Sequence, residues 1–263
     1  AFVYPVTMSL VPFAAAALAR QDGASANRIV SSAFRIIAIL AFPAGIGLSV
    51  LATPIMILVL PSQYEDALAA GFHLGILGIA LIFICLMILT NSILQVYGRE
   101  KLPILTVIIG GITKIVMNYV LVGNPEIGIK GAPISTLCCY LVIVALNLFF
   151  VWKYSPQKPR YFQIFAKPVA AAALMGAAAW AVFGFASRLL DGAFLSLAGQ
   201  LSADPERIQF LARYLTNAAS TLLGIFVGVV AYGILIIALR ILRAEDVRSL
   251  PRGEKLIKLL HLK

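Results

Sequence analysis

The stretch ITKIVMNYVL, residues 112–121, sets one ammonium, Lys114, and one carboxamide, Asn118, among apolar side chains. With a rise of about 1.5 Å per residue, about eleven residues back to Pro103 and about eight on to Val122 place Lys114 near the middle of a bilayer-length run. Exposing that charge to hydrocarbon would cost at least about 2.5–3.5 kcal/mol, so it must turn to protein or water. Gly110 lies four residues before it and Asn118 four after, so the three share one helical face. Two roles fit. The cation can line a hydrated cavity and meet an anionic group in transit, or its four-carbon stem can snorkel outward or pair with a helix carbonyl.

The other polar residues inside apolar runs carry weaker signals. Asn91, Ser92 and Gln95 cluster, with Asn91 and Gln95 on one face at i, i+4. They fit the lining of the same cavity, and interhelical hydrogen bonds account for them as well. Arg35 sits about one turn inside an apolar run, as a vestibule charge or an interfacial snorkeller. Asn147 is expected to pack between helices.

All eleven carboxylates read as lying in loops or tails. An intramembrane acid–base enzyme, or a prenyl transferase holding Mg²⁺, needs carboxylates at depth, so the sequence points away from an enzyme. His73 and His261 stand far apart, and Cys85, Cys138 and Cys139 have no zinc or redox spacing. No cofactor or metal is expected, and neither a P-loop nor a nucleophile elbow appears.

These residues require spanning helices to hold them. The chain is 61% apolar and 12% charged, with a mean hydropathy of +0.97, far above a soluble domain. The apolar runs do not alternate as a β-barrel would, so the expected fold is an all-α polytopic transmembrane bundle. Seven spans are expected: 1–19, 30–50, 70–97, 103–122, 131–152, 165–187 and 213–240. The second continues through LATPIMILVL to Leu60, and Pro43, Gly45, Gly47 and Pro54 predict a kink and a short interfacial piece. The chain begins inside an apolar run without the features of a signal peptide. It reads as a truncated span, and the polypeptide as the C-terminal portion of a longer protein.

Charge sets the sidedness. One set of connections carries sixteen Lys and Arg, from Arg20 and Arg28 to Lys263, and the alternate set carries only Lys130, Arg188, Arg207 and Arg213. The positive-inside rule therefore places the C-terminus in the cytoplasm of a multi-pass plasma-membrane protein. The net charge of +10 reads as topology and attraction to membrane lipids, with no nucleic-acid partner. The expected organisation is a lobe over 1–153, two additional helices over 154–242 with an external loop at 188–212, and a basic amphipathic cytoplasmic tail at 243–263. LLDGAFLSLAGQL in that loop suggests a half-buried interfacial helix. Asp204-Pro205 reads as an N-cap followed by proline at N1.

Four segments, SLVPFAAAALARQDGASANRIVSSAFR, NSILQVYGREKLP, KIVMNYVLVGNPEIGIKGAPISTLCCY and EDVRSLPRGEKL, occur in this order. In this the chain resembles the polysaccharide-transporter branch of the multidrug/oligosaccharidyl-lipid/polysaccharide exporter superfamily, the stage V sporulation protein B type above all. Lys114 and Asn118 match its KIxxNxxL segment, and Gln95 and Gly98 its LQxxG pattern. VPFAAAALA departs from it, since members more often place a polar or acidic residue soon after the proline. The resemblance implies two lobes of six helices with two further helices, the spans here being the eighth to the fourteenth. It implies a flippase that moves lipid-linked saccharides, on a polyprenyl pyrophosphate carrier, by alternating access, with an N-terminal lobe supplying half the cavity. The candidate substrate-binding residues are Lys114, Asn118, Asn91, Gln95 and Arg35. A cation-coupled drug exporter of the same superfamily, which needs deep carboxylates, and a non-transporting scaffold for polysaccharide synthesis are the alternatives.

Overall fold

A computed structural model of the chain describes residues 12, 14–17, 19, 20, 22–155, 158–201, 204–239 and 241. Most of the expected first span, 1–19, and the whole expected tail, 243–263, lie outside the described residues. Among those described, the regular structure is helical: α1 (Gly23–Val50), α2 (Ala52–Val59), α3 (Tyr64–Val96), α4 (Lys101–Val122), α5 (Gly131–Tyr154), α6 (Tyr161–Leu201) and α7 (Pro205–Ala238). A 3₁₀ turn, Gly128–Lys130, leads into α5. Six of the helical segments are long and apolar enough to cross a membrane. The chain is thus an all-α polytopic bundle. In it α3 packs against α1, α2 and α5, α1 also meets α6, and α4–α5 and α6–α7 form antiparallel hairpins.

Helix α1 begins seven residues earlier than the apolar run does, because RQDGASANR is not all loop. Asp22 caps it, its carboxylate accepting the Ser25 amide at 2.9 Å. Hydrogen bonds from Ser25 hold that carboxyl below the usual carboxylate range. The expected break falls at Leu51, and α2 follows as the short piece. At the other end of the hairpin order, α3 closes where Gly98 takes φ 68°, the left-handed conformation that glycine adopts at least cost. The Arg99 amide reaches Leu94 O at 2.9 Å and the Gly98 amide Gln95 O at 2.9 Å, the two bonds of a Schellman cap. This cap is the physical content of the LQxxG pattern.

The segment 188–212, expected as an external loop with a half-buried interfacial helix, differs. Helix α6 runs without interruption for 41 residues to Leu201, and α7 starts at Pro205 and runs for 34. Residues 188–201 contain no proline and are rich in Leu and Ala, so nothing stops the helix there. Asp191 and Arg188, read as loop residues, are therefore exposed side chains on a helix. The Asp204 cap is as expected: its carboxylate accepts the Glu206 amide at 3.1 Å, and Pro205 takes the first helical position.

The core lies between α1, α3 and α6. Phe34, Ile37, Leu89 and Leu94 are fully buried, and Phe34 meets Tyr161 and Phe165 edge-on at 5.6 Å and 5.9 Å. Helices α1 and α3 cross at two glycines, where a Cβ on Gly78 would stand 2.8 Å from Ser49 N and 2.9 Å from Gly45 O. Two backbone contacts then fix α7. Asn217 Nδ2 donates to Pro54 O at 2.9 Å, and Tyr232 Oη donates to Ile39 O at 2.8 Å. The second compensates for Pro43, which has no amide to give to the carbonyl four residues before it. Lys167 Nζ donates to Leu239 O at 3.1 Å, closing the exposed end of α7.

Tyr232→Phe should therefore lower stability in detergent unfolding by about 1–2 kcal/mol, by leaving a buried carbonyl unpaired. In a Pro43→Ala background, where an amide is restored, the same change should cost less than half as much. Equal costs in the two backgrounds would show that the hydroxyl does not stand in for the absent amide.

Candidate functional site

The face carrying Gly110, Lys114 and Asn118 lies along α5. A Cβ on Gly110 would overlap Ile143 and stand 3.3 Å from Cys139 O, so only glycine permits this approach. The Asn118 carboxamide oxygen accepts from Ser135 Oγ at 2.6 Å, and that hydroxyl also lies 2.7 Å from Gly131 O. Lys114 lies half-buried between them along the row. Each helix therefore contributes a row at four-residue spacing, Gly110–Lys114–Asn118 against Ile143–Cys139–Ser135, antiparallel and in register. Neither α4 nor α5 contains a carboxylate.

The rows continue inward to a polar node. One turn before Gly110, Thr106 Oγ1 donates to Asn147 Oδ1 at 2.8 Å. Asn147 Nδ2 donates to Thr90 Oγ1 at 3.0 Å and to Asn91 Oδ1 at 2.7 Å. Thr90, Thr106 and Asn147 are fully buried, so one carboxamide ties α3, α4 and α5 together at the same level.

The opposite face of α4 is open: Ile112, Ile115, Val116 and Tyr119 are 57%, 71%, 54% and 84% exposed. Lys114 stands at the border between that open face and the seam with α5. The geometry can present a cation, with carboxamide and hydroxyl groups a turn or two away, to a group arriving along α4.

The five candidate residues are not all brought together. Lys114 and Asn118 share the seam, and Asn91 joins it through Asn147, its carbonyl already engaged. Gln95, one turn further along α3, is exposed. Ser92 donates back to Ile88 O at 3.0 Å. Arg35 lies on α1, which packs against α3 and α6. Its neighbour Phe34 meets Tyr161 and Phe165 in the first turns of α6, so Arg35 lies at the end of the bundle where α6 begins. Sequence reasoning missed Thr106 and Ser135. The four-residue spacing of Thr106, Gly110, Lys114 and Asn118, matched by Ser135, Cys139, Ile143 and Asn147, is the signal that points to them.

Asn147→Leu should cost about 1–2 kcal/mol of stability, because Thr90, Thr106 and Asn91 lose their common partner. Thr106→Val, which removes one bond of the node, should cost less. Detergent unfolding reads both, and an Asn147→Leu protein as stable as the wild type would show that the node does not hold the three helices.

Residues 2–201 match the family model described as lipid II flippase MurJ, a stretch that takes in α1 to α6 and the whole Lys114 seam. The chain is also similar to the uncharacterized membrane protein YabM of Bacillus subtilis (strain 168), at 25% identity over 148 residues. That similarity covers 56% of this chain and 26% of YabM, so the chain spans about a quarter of the curated relative it matches. The family match takes in well over half of the chain. The chain belongs to the lipid II flippase MurJ family, within the exporter superfamily that its segments resemble.

Proposed function

We propose that this chain is part of a flippase that carries a lipid-linked, anionic saccharide precursor, of the lipid II kind, across the plasma membrane. Family membership supports the class of activity, and Lys114 is the observation that carries the mechanism. It is the one charged residue in α4 away from the helix ends, placed where the seam meets the open face. A pyrophosphate passing along that face meets a positive charge in a low-dielectric setting, where its attraction is least screened. Asn118 and the hydroxyl of Ser135 add hydrogen-bonding groups one turn on. A second lobe supplies the facing wall, the saccharide crosses in the hydrated space between the lobes, and the prenyl chain stays in lipid. Rocking of one lobe against the other alternates the side to which Lys114 is accessible. The excess of Lys and Arg at the ends of α3, α5 and α7 supports a cytoplasmic C-terminus. The protein is then a transporter, and no bond in the substrate is broken.

Lys114→Ala and Lys114→Glu, made in the full-length protein, should abolish translocation at normal expression, while Lys114→Arg should retain part of it. The measurement is flipping of a fluorescent lipid-linked oligosaccharide in proteoliposomes. Wild-type rates with Lys114→Glu would end the cavity reading.

A further inference from the structure

At the end of the bundle opposite Arg35 and Lys167, the turn between α2 and α3 and the first turns of α7 enclose a cleft of about 260 Å³. Its walls are Tyr64 on one side and Glu206, Gln209, Phe210, Arg213 and Tyr214 on the other, with Ile57 and Pro61 adding apolar surface. The Arg213 guanidinium lies over the Tyr64 ring, 4.8 Å from its centroid, bridging the two walls. One turn deeper, the Asn217 bond to Pro54 O fixes α7 against α2. The cleft is therefore held open between two elements that are bonded beneath it.

The chemistry of the lining selects its occupant. Phe210 and Tyr214 stand one turn apart with ring planes 6° from parallel and centroids 6.4 Å apart. Beside them are a guanidinium, a carboxylate, a primary amide, the Ser62 hydroxyl and the Tyr64 phenol, all able to hydrogen-bond. Arg213 and Glu206 cancel in formal charge, so the cleft is not built for a phosphate, which would meet the carboxylate. A neutral ligand that is apolar on its faces and hydroxylated at its edges satisfies both aromatic rings and polar groups. A sugar ring has that character, and the volume, just below the usual range for small-molecule sites, suits one or two rings.

We propose that this cleft is a saccharide-binding subsite on the external side of the protein, which holds the sugar end of the precursor as it leaves the cavity. The external placement rests on the transport reading above, and the binding chemistry does not. Holding the sugar at the mouth disfavours its return when the transporter resets. Exposed Gln209 and Phe210 contribute contacts without supporting the core, so they can be changed without loss of the fold.

The test uses the full-length protein in nanodiscs, with N,N′-diacetylchitobiose as the soluble probe and saturation-transfer NMR as the readout. Gln209→Ala, Phe210→Ala and Arg213→Lys should each weaken binding at least about fivefold, the scale of one stacking or hydrogen-bonding contact. Ile234→Ala, on an exposed part of α7 away from the cleft, should leave binding unchanged. Equal affinity in all four variants and the wild type overturns the subsite, as does displacement of the probe by glycerol phosphate, which would mark a lipid-headgroup site. Flipping of the labelled precursor is measured on the same samples. Cleft-dependent binding without flipping upholds the subsite and removes the transport reading, and flipping with no cleft-dependent binding does the reverse.

Discussion

Within hydrocarbon, every amide, carbonyl and side-chain polar group must find its partner in the protein, and this constraint shapes the bundle at each level. Most hydroxyls in the spans meet it locally. Ser92, Thr113 and Thr136 each return their hydroxyl to a carbonyl four residues back and so ask nothing of a neighbouring helix. The buried hydroxyls of Thr216, Ser220 and Thr221 on α7 have no partner among the described residues, and two kinds of group cannot be met within one turn of their own helix. Ile39 O loses its amide to Pro43, and a carboxamide such as that of Asn147 has more bonding capacity than one turn of its own helix can absorb. Both are answered from other helices, by Tyr232 in one case and by Thr106, Thr90 and Asn91 in the other. The long-range order of the bundle follows from these exceptions, with the apolar core filling the space they define.

The same logic bears on Lys114. Its row is close-packed at Gly110 and hydrogen-bonded at Asn118, so α4 is fixed in rotation about its own axis. A helix in lipid is otherwise free to turn until its charge finds water. Here the pairs at either end hold the lysine at the edge of the seam, and its flexible stem alone decides how far the ammonium reaches into the open side.

Much of this was legible in the sequence, because period and charge are local properties. Six of the expected spans, the break near Leu51, the Asp204–Pro205 start and the packing of Asn147 follow from hydropathy, proline chemistry and capping. Helix ends were less legible where no stop signal exists. The Asp22 cap extends α1 beyond its apolar run, and the absence of proline in 188–201 lets α6 continue through what hydropathy marks as loop. The candidate site was half legible. Spacing of four gave the face of α4, but the partner row on α5 depends on the register of two helices, which no single segment encodes. Asn91 illustrates the gap: the sequence leaves it between cavity lining and interhelical hydrogen bonding, and the bond it accepts from Asn147, 56 residues away, is visible only in the fold.

Helix α6 has one further consequence. At about 1.5 Å per residue its 41 residues measure about 60 Å, twice the hydrocarbon thickness of about 30 Å. Tilt alone would have to reach about 60° to hide that length, well past the roughly 40° limit seen for spanning helices. A large part of α6, with the start of α7 beside it, must therefore stand clear of the acyl chains as a stalk. Leu189, Leu195 and Leu197, exposed on its outer part, then face headgroups or water, a solvent unlike the one that shaped the rest of the molecule.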